Sequence, residues 1–332
     1  MELYSFDQKE LKKDYSRLLE LYLNEKSKEK KMKLHGELLP LSYYLKNSRN
    51  INYSLSREYL AKINEDRERV KNIYKSNRNL TEELCYYWSI SLRRIPASEK
   101  SKMFIEFINK EDYYLDMKSF FEEVLPSDLD LFLDTFKDNH ILVKRSLLCN
   151  KEEMLYLESL DKYYIKVLYY LSLSKITIRN TIHELGHVSE CKSSLSNDSY
   201  DYIMEEVIAI LYELLYIDYY SHGDKDIMLS EFYHLFKIIN ISPLENYIIS
   251  NINKKNITYE EFFLGEIRSM YSNIIALSLY LRTKDNNFFE KIEYIKKNKP
   301  YVPAFELLTS VGITKEELIY TAKNAKKLIK SE

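Results

Sequence analysis

Glycine and proline are scarce in this chain, 5 and 6 among 332 residues. Turns between strands lean on these two residues, so their shortage argues against an all-β fold and for a predominantly helical one. The three cysteines, Cys85, Cys149 and Cys191, are odd in number and far apart. They form no CxxC pair and no disulfide framework, which fits a reducing compartment. No apolar run approaches the length needed to span a bilayer, so no membrane partner is expected. The stretch Met1 to Lys13 is polar, without the apolar core of a secretory signal, and a cytoplasmic setting is expected. Net charge is only −2, from 49 basic and 51 acidic residues. No basic field therefore awaits a nucleic acid.

What is present is a long, charge-rich, tyrosine-rich chain. Its 332 residues are enough for a sizeable core and for one large domain or two. Runs such as Asn24 to Lys33 read as solvated helix faces, and the 31 tyrosines, with abundant Lys, Asn and Ile, read as a bias of base composition. Leu11, Leu18, Leu19 and Tyr22 recur at helical spacing within residues 7–75. Residues 79–95 carry the lone tryptophan, Trp88, on an apolar face. Further helices are expected over Lys100–Ile108 and Tyr113–Leu125, with a helix start at Ser127-Asp128. Others are expected near 226–240, 243–252, 258–283, 286–297 and 314–330. The break at Pro96-Ala97-Ser98 suggests a soft boundary between an N-terminal helical region, 1–98, and a catalytic region, 99–332. Tyr163 to Leu171 is rich in β formers and is either a short strand or a buried helix.

One pentapeptide carries chemistry. His183-Glu184-Leu185-Gly186-His187 matches H-E-x-x-H. On a helix the two histidines sit one turn apart and point the same way, so both imidazoles can hold one metal ion. Glu184 is placed to act as general base on a zinc-bound water. Ile176, Ile178 and Ile182 precede the motif and suit a buried helix, which Ser172 or Ser174 can cap. Cys191 reads as a buried or idle thiol.

A catalytic zinc takes three protein ligands. The third is expected from Glu205 or Glu206 on the helix thought to start at Asp198 or Ser199. The stripe Ile203, Glu206, Ile210, Glu213, Ile217 favours Glu206. Glu213 can be an acceptor for a ligand imidazole or an ordinary helix carboxylate. Oxyanion donors are sought at Tyr259, Arg268 and Tyr271.

Three stretches resemble the thimet oligopeptidase and oligoendopeptidase F family of zinc metallopeptidases. They are Tyr164 through His187, Asp201 through Leu215, and Pro303 through Thr314. The resemblance covers roughly residues 160–330. It implies a mainly α fold with a substrate channel and at most a small β-sheet beside the active-site helix. It also implies one Zn²⁺ held by His183, His187 and Glu206, with Glu213 at the family's later glutamate. The chain is shorter than the usual member, which implies a reduced N-terminal lid. The family's substrate-binding histidine has no counterpart in Glu260–Tyr280, and Tyr271 is the best remaining match for an oxyanion donor. His222 and His234 read as surface or core histidines.

The function expected is therefore a zinc-dependent metallopeptidase acting on oligopeptides. Two alternatives stand beside it: an ImmA/IrrE-like regulatory protease that cuts one protein, and a non-catalytic peptide-binding relative.

Overall fold

The computed structural model describes residues 2–45, 72, 75–93, 101–146, 151–170, 172–196, 200, 202–236 and 257–331. Among these are thirteen α-helices and one four-stranded sheet, the mainly α architecture expected. Helices α1 (Gln8–Asn24) and α2 (Lys28–Tyr44) form a hairpin. Asp7 caps the first by accepting from the amides of Lys9 and Glu10. Leu11 and Leu18 of α1 bury against Leu34, Leu38 and Leu41 of α2.

The sheet holds β1 (Glu2–Tyr4), β2 (Ile141–Ser146), β3 (Lys151–Leu157) and β4 (Lys162–Tyr170), in the order β1-β2-β4-β3. β2 and β4 run parallel, and β3 runs antiparallel to β4. Alternation along β4 sends Tyr163, Ile165 and Val167 into the main core and Tyr164 toward the α1–α2 hairpin. β3 lies at the sheet's edge.

The remaining helices in chain order are α3 (Arg78–Arg93), α4 (Lys102–Ile105), α5 (Lys110–Glu123), α6 (Leu129–Lys137), α7 (Lys175–Ser194), α8 (Val207–Ser221), α9 (Lys225–Phe236), α10 (Ile257–Tyr280), α11 (Phe288–Asn298), α12 (Ala304–Ser310) and α13 (Lys315–Ser331). α7 occupies the centre, packed by β3 and β4 on one side and by α8 and α11 on others. α10 lies against α8, and α3 against α13. Trp88 is fully buried on α3, as its apolar setting suggested. Buried tyrosines find partners for their hydroxyls, as they must. Tyr113 meets Thr181 of α7 at 2.6 Å, Tyr163 meets Thr135 at 2.8 Å, and Tyr216 donates to Asp116 at 2.7 Å.

Several expectations are sharpened or corrected. The β-rich stretch is β4, and Ser174 caps α7 in a capping box with Thr177. The helix expected from about residue 199 starts only at Val207, after a 3-10 turn at Tyr202–Met204. Glu206 is its N-cap, and its carbonyl accepts the Ile210 amide at 3.0 Å. The helix expected over Lys100–Ile108 is confined to α4, because Phe107 leaves to bridge Ser174 and the Ile108 amide bonds Leu173. Strand β3 was not foreseen. Pro96–Ser98, Cys149, Asp198, Ser199 and the helix expected over 243–252 lie outside the described residues.

The backbones of α7 and α8 come close where the two helices cross. A Cβ added to Gly186 would stand 2.8 Å from Ala209 Cα and 3.3 Å from its amide nitrogen. Both obstacles are backbone, so a side chain here forces the helices apart. Gly186→Ala would gain about 1 kcal/mol of helix propensity in an open helix. Here overpacking outweighs that gain, and we expect a net loss of about 1–3 kcal/mol in urea unfolding. A variant more stable than the native chain contradicts the crossing.

Candidate metal centre

Four side chains of α7 line one side of the centre. Asn180, His183, Glu184 and His187 sit at spacings of three and four residues, so they share a face. The turn before α8 brings Glu206 to them, and α8 brings Glu213. Among the described residues, His183, His187 and Glu206 form one group able to hold a metal, with ligand atoms all within 4.8 Å of one another.

The finer distances test that fit. His183 Nε2 and His187 Nε2 are 3.2 Å apart, and Glu206 Oε2 lies 3.3 Å from each. A tetrahedral ion with bonds of about 2.0–2.1 Å has ligand atoms about 3.3 Å apart. The three donors thus already stand at the spacing that one Zn²⁺ needs. The donor set, two imidazoles and a carboxylate, is one that zinc takes.

The second side of His183 explains its orientation. Its Nδ1 lies 2.7 Å from Glu213 Oε1. A carboxylate can only accept, so Nδ1 donates to it, and Nε2 is the ring atom turned toward His187 and Glu206. Glu213 is buried, and Arg179 Nε, one turn before His183, lies 2.9 Å from its Oε2. That ion pair offsets the cost of burying the carboxylate. Arg179 was legible only in hindsight, as the cation on the same helix stripe that a buried Glu213 requires.

The electrostatics follow from burial and proximity. Burial works to lower the His183 pKa, but hydrogen bonds and charge from Glu206 and Glu213 outweigh it and hold it well above the usual value. Burial works to raise the Glu206 carboxyl, but His187 and His183 beside it hold it well below. Glu184 is 7% exposed, and burial pushes its carboxyl up; His183 and His187 oppose this, while Glu206 and Glu152 add to it.

Glu152 was missed in the sequence because β3 was missed. It sits on the edge strand and accepts from Asn180 Nδ2 at 2.7 Å. Burial raises its carboxyl, with His183 and Arg179 opposing. Arg268 of α10 reaches the turn before α8, with Nη1 2.6 Å from Glu205 Oε2 and Nη2 3.6 Å from Glu206 Oε1.

The structure does not bring Tyr271 to this group. Its side chain is fully buried, its hydroxyl shares a 2.8 Å hydrogen bond with Thr81 of α3, and its ring packs on Phe305. The α10 side chains that meet the 202–206 turn are instead Arg268 and Ser272. The Tyr259 side chain lies outside the described residues. Cys191 is buried, with its thiol pushed up to about 12, first by burial and then by Glu190. His222 is the C-cap of α8, and His234 sits in the last turn of α9.

No known family model matches the chain, and no curated protein does either. Two solved structures share the fold. One is a Bacillus anthracis str. Ames protein assigned to oligoendopeptidase F, with a TM-score of 0.52 and 14% identity over 90% of this chain. The other is PZ peptidase A with inhibitor 2, with a TM-score of 0.53 and 12% identity over 99% of this chain. The chain spans 63% of the length of the first and 70% of the second. The fold is thus that of helical peptidase structures. No helix among the described residues is long and apolar enough to cross a membrane.

The pKa shifts give a pH dependence with a definite sign. His183 has a raised folded value, so its ion pairs stabilise the metal-free protein below about pH 6.5 and that stability is lost as pH rises through the folded value. Glu206 has a depressed value, so its share is present above about pH 4.3 and lost as pH falls. A metal needs both imidazoles neutral. The rise in melting temperature on replacing EDTA by Zn²⁺ should therefore grow from about pH 6 to about pH 8. A rise that shrinks over this range contradicts the assignment.

Proposed function

We propose that this protein is a zinc-dependent metallopeptidase that hydrolyses peptide bonds in oligopeptides. The observation that carries the reading is the convergence of His183, His187 and Glu206 at zinc-ligand spacing, with the Glu184 carboxyl buried beside them. The fold shared with oligoendopeptidase F and PZ peptidase A structures supports it, as does the sequence resemblance to that family.

In this reading His183, His187 and Glu206 hold one Zn²⁺. When bound, the ion lowers the pKa of water toward neutrality and polarises a carbonyl. The protein's own groups do the rest. Glu213, held by Arg179, keeps the proton of His183 on Nδ1 and its lone pair inward. Glu184 takes a proton from the attacking water as the water oxygen bonds the scissile carbonyl carbon. It then delivers that proton to the leaving nitrogen as the C–N bond breaks. Products are a carboxylate and an ammonium group, the second proton of the water passing to the amine as the new carboxyl group ionises. Burial raises the Glu184 carboxyl, which makes it a stronger proton acceptor than an exposed glutamate.

The test is digestion of a mixed peptide library by the native protein and by Glu184→Gln, with metal content measured on each. The native protein should hold about one zinc per chain and cut peptides. The variant should keep zinc and lose at least about 100-fold in rate. A native protein without zinc, or a variant that cuts as fast, contradicts the proposal.

A further inference from the structure

Glu206 has two carboxylate oxygens, and they face different partners. Oε2 lies 3.3 Å from both imidazoles, while Oε1 lies 3.6 Å from Arg268 Nη2. The other arm of that guanidinium donates to Glu205 Oε2 at 2.6 Å. One arginine thus spans two adjacent carboxylates.

We propose that Arg268 is a positioning residue: by engaging Oε1 it turns Glu206 so that a single oxygen, Oε2, is offered to the metal, while Glu205 holds Arg268 in place and cancels its charge. The inference rests on the zinc reading above.

Three features make the device necessary. Glu205 and Glu206 stand in the turn before α8, not within a helix, so no helical neighbour fixes how their carboxylates rotate. Arg268 comes from α10, and α10 is itself pinned to this turn, because Ser272 one turn further on donates to the Ile203 carbonyl at 2.8 Å. Finally, a bare cation this close to a ligand oxygen would repel a dication. Pairing with Glu205 lets Arg268 orient Glu206 without adding net charge. A forked guanidinium can bridge two acceptors in this way, whereas the compact ammonium of lysine lacks the fixed fork.

The test uses the full chain and metal alone as probe. The variants are Arg268→Lys and the charge-conserving pair Glu205→Gln with Arg268→Gln. Zinc affinity is read by competition with a chromogenic chelator, at a temperature where circular dichroism shows every protein folded. Coordination is read from the visible spectrum of the Co²⁺-loaded forms. We expect both variants to lose about 10–100-fold in zinc affinity, the range typical for partners that orient ligands. Their cobalt bands should weaken as Glu206 becomes able to offer both oxygens and coordination number rises. If the melting temperature of the metal-free protein falls but zinc affinity and the cobalt spectrum stay native, Arg268 only ties α10 to the turn and the proposal is overturned. If Arg268→Lys is native in both metal readouts, charge alone suffices and the positioning claim is likewise overturned. A native chain that takes up no zinc sinks the metallopeptidase reading itself. A native chain that takes it up, beside indifferent variants, sinks this inference alone.

Discussion

The close crossing of α7 over α8 at Gly186 and Ala209 is the constraint on which the centre depends. The histidines are on one helix and the carboxylates on and just before the other. Their meeting at about 3.3 Å requires the two backbones to touch, and only the absence of a Cβ at Gly186 allows it. The fourth residue of the HELGH motif is therefore part of the geometry, even though it carries no chemistry. The same crossing sets Glu213 against the far side of His183, so one contact fixes that imidazole and the group that orients it.

Around that crossing, three buried charges have partners of opposite sign. Glu213 has Arg179. Glu190, two turns beyond His183 along α7, has Lys299 at 2.5 Å, both almost fully buried. Lys296 of α11 reaches Asp128 and Ser189, where the Tyr212 hydroxyl also arrives. Each pair contributes little net stability, but removal of one partner leaves an uncompensated buried charge. These pairs fasten α7 to α8, to α11 and to the segment that follows it, and hold the helix bearing His183 and His187 on several sides. Rigid support of this kind is what a preorganised site needs.

How much of this could be read from the sequence differs by residue. His183, Glu184 and His187 lie within one helical turn of each other, so local spacing was enough to group them. Glu206 was singled out by a stripe on a helix that starts later than expected. The stripe marked the glutamate that stands beside the two imidazoles, although Glu206 is at the cap and only Ile210 and its successors in the stripe are helical. Glu152 was illegible because Lys151–Leu157, charged and rich in helix formers, becomes an edge strand only when β4 pairs with it. Tyr271 was singled out by alignment with a motif. Its hydroxyl is committed to Thr81, a partner 190 positions away that no local pattern reveals. Arg268 was legible as a candidate, but its engagement with two adjacent carboxylates required the packing of α10 on the turn.

The central claim is that this crossing builds a site of two imidazoles and one carboxylate. X-ray absorption at the zinc edge of the metal-loaded protein tests it most directly. The account predicts nitrogen and oxygen scatterers at about 2.0–2.1 Å, with the outer-shell pattern of two imidazoles and no sulfur. A zinc–sulfur distance near about 2.3 Å, or a single imidazole, would contradict it.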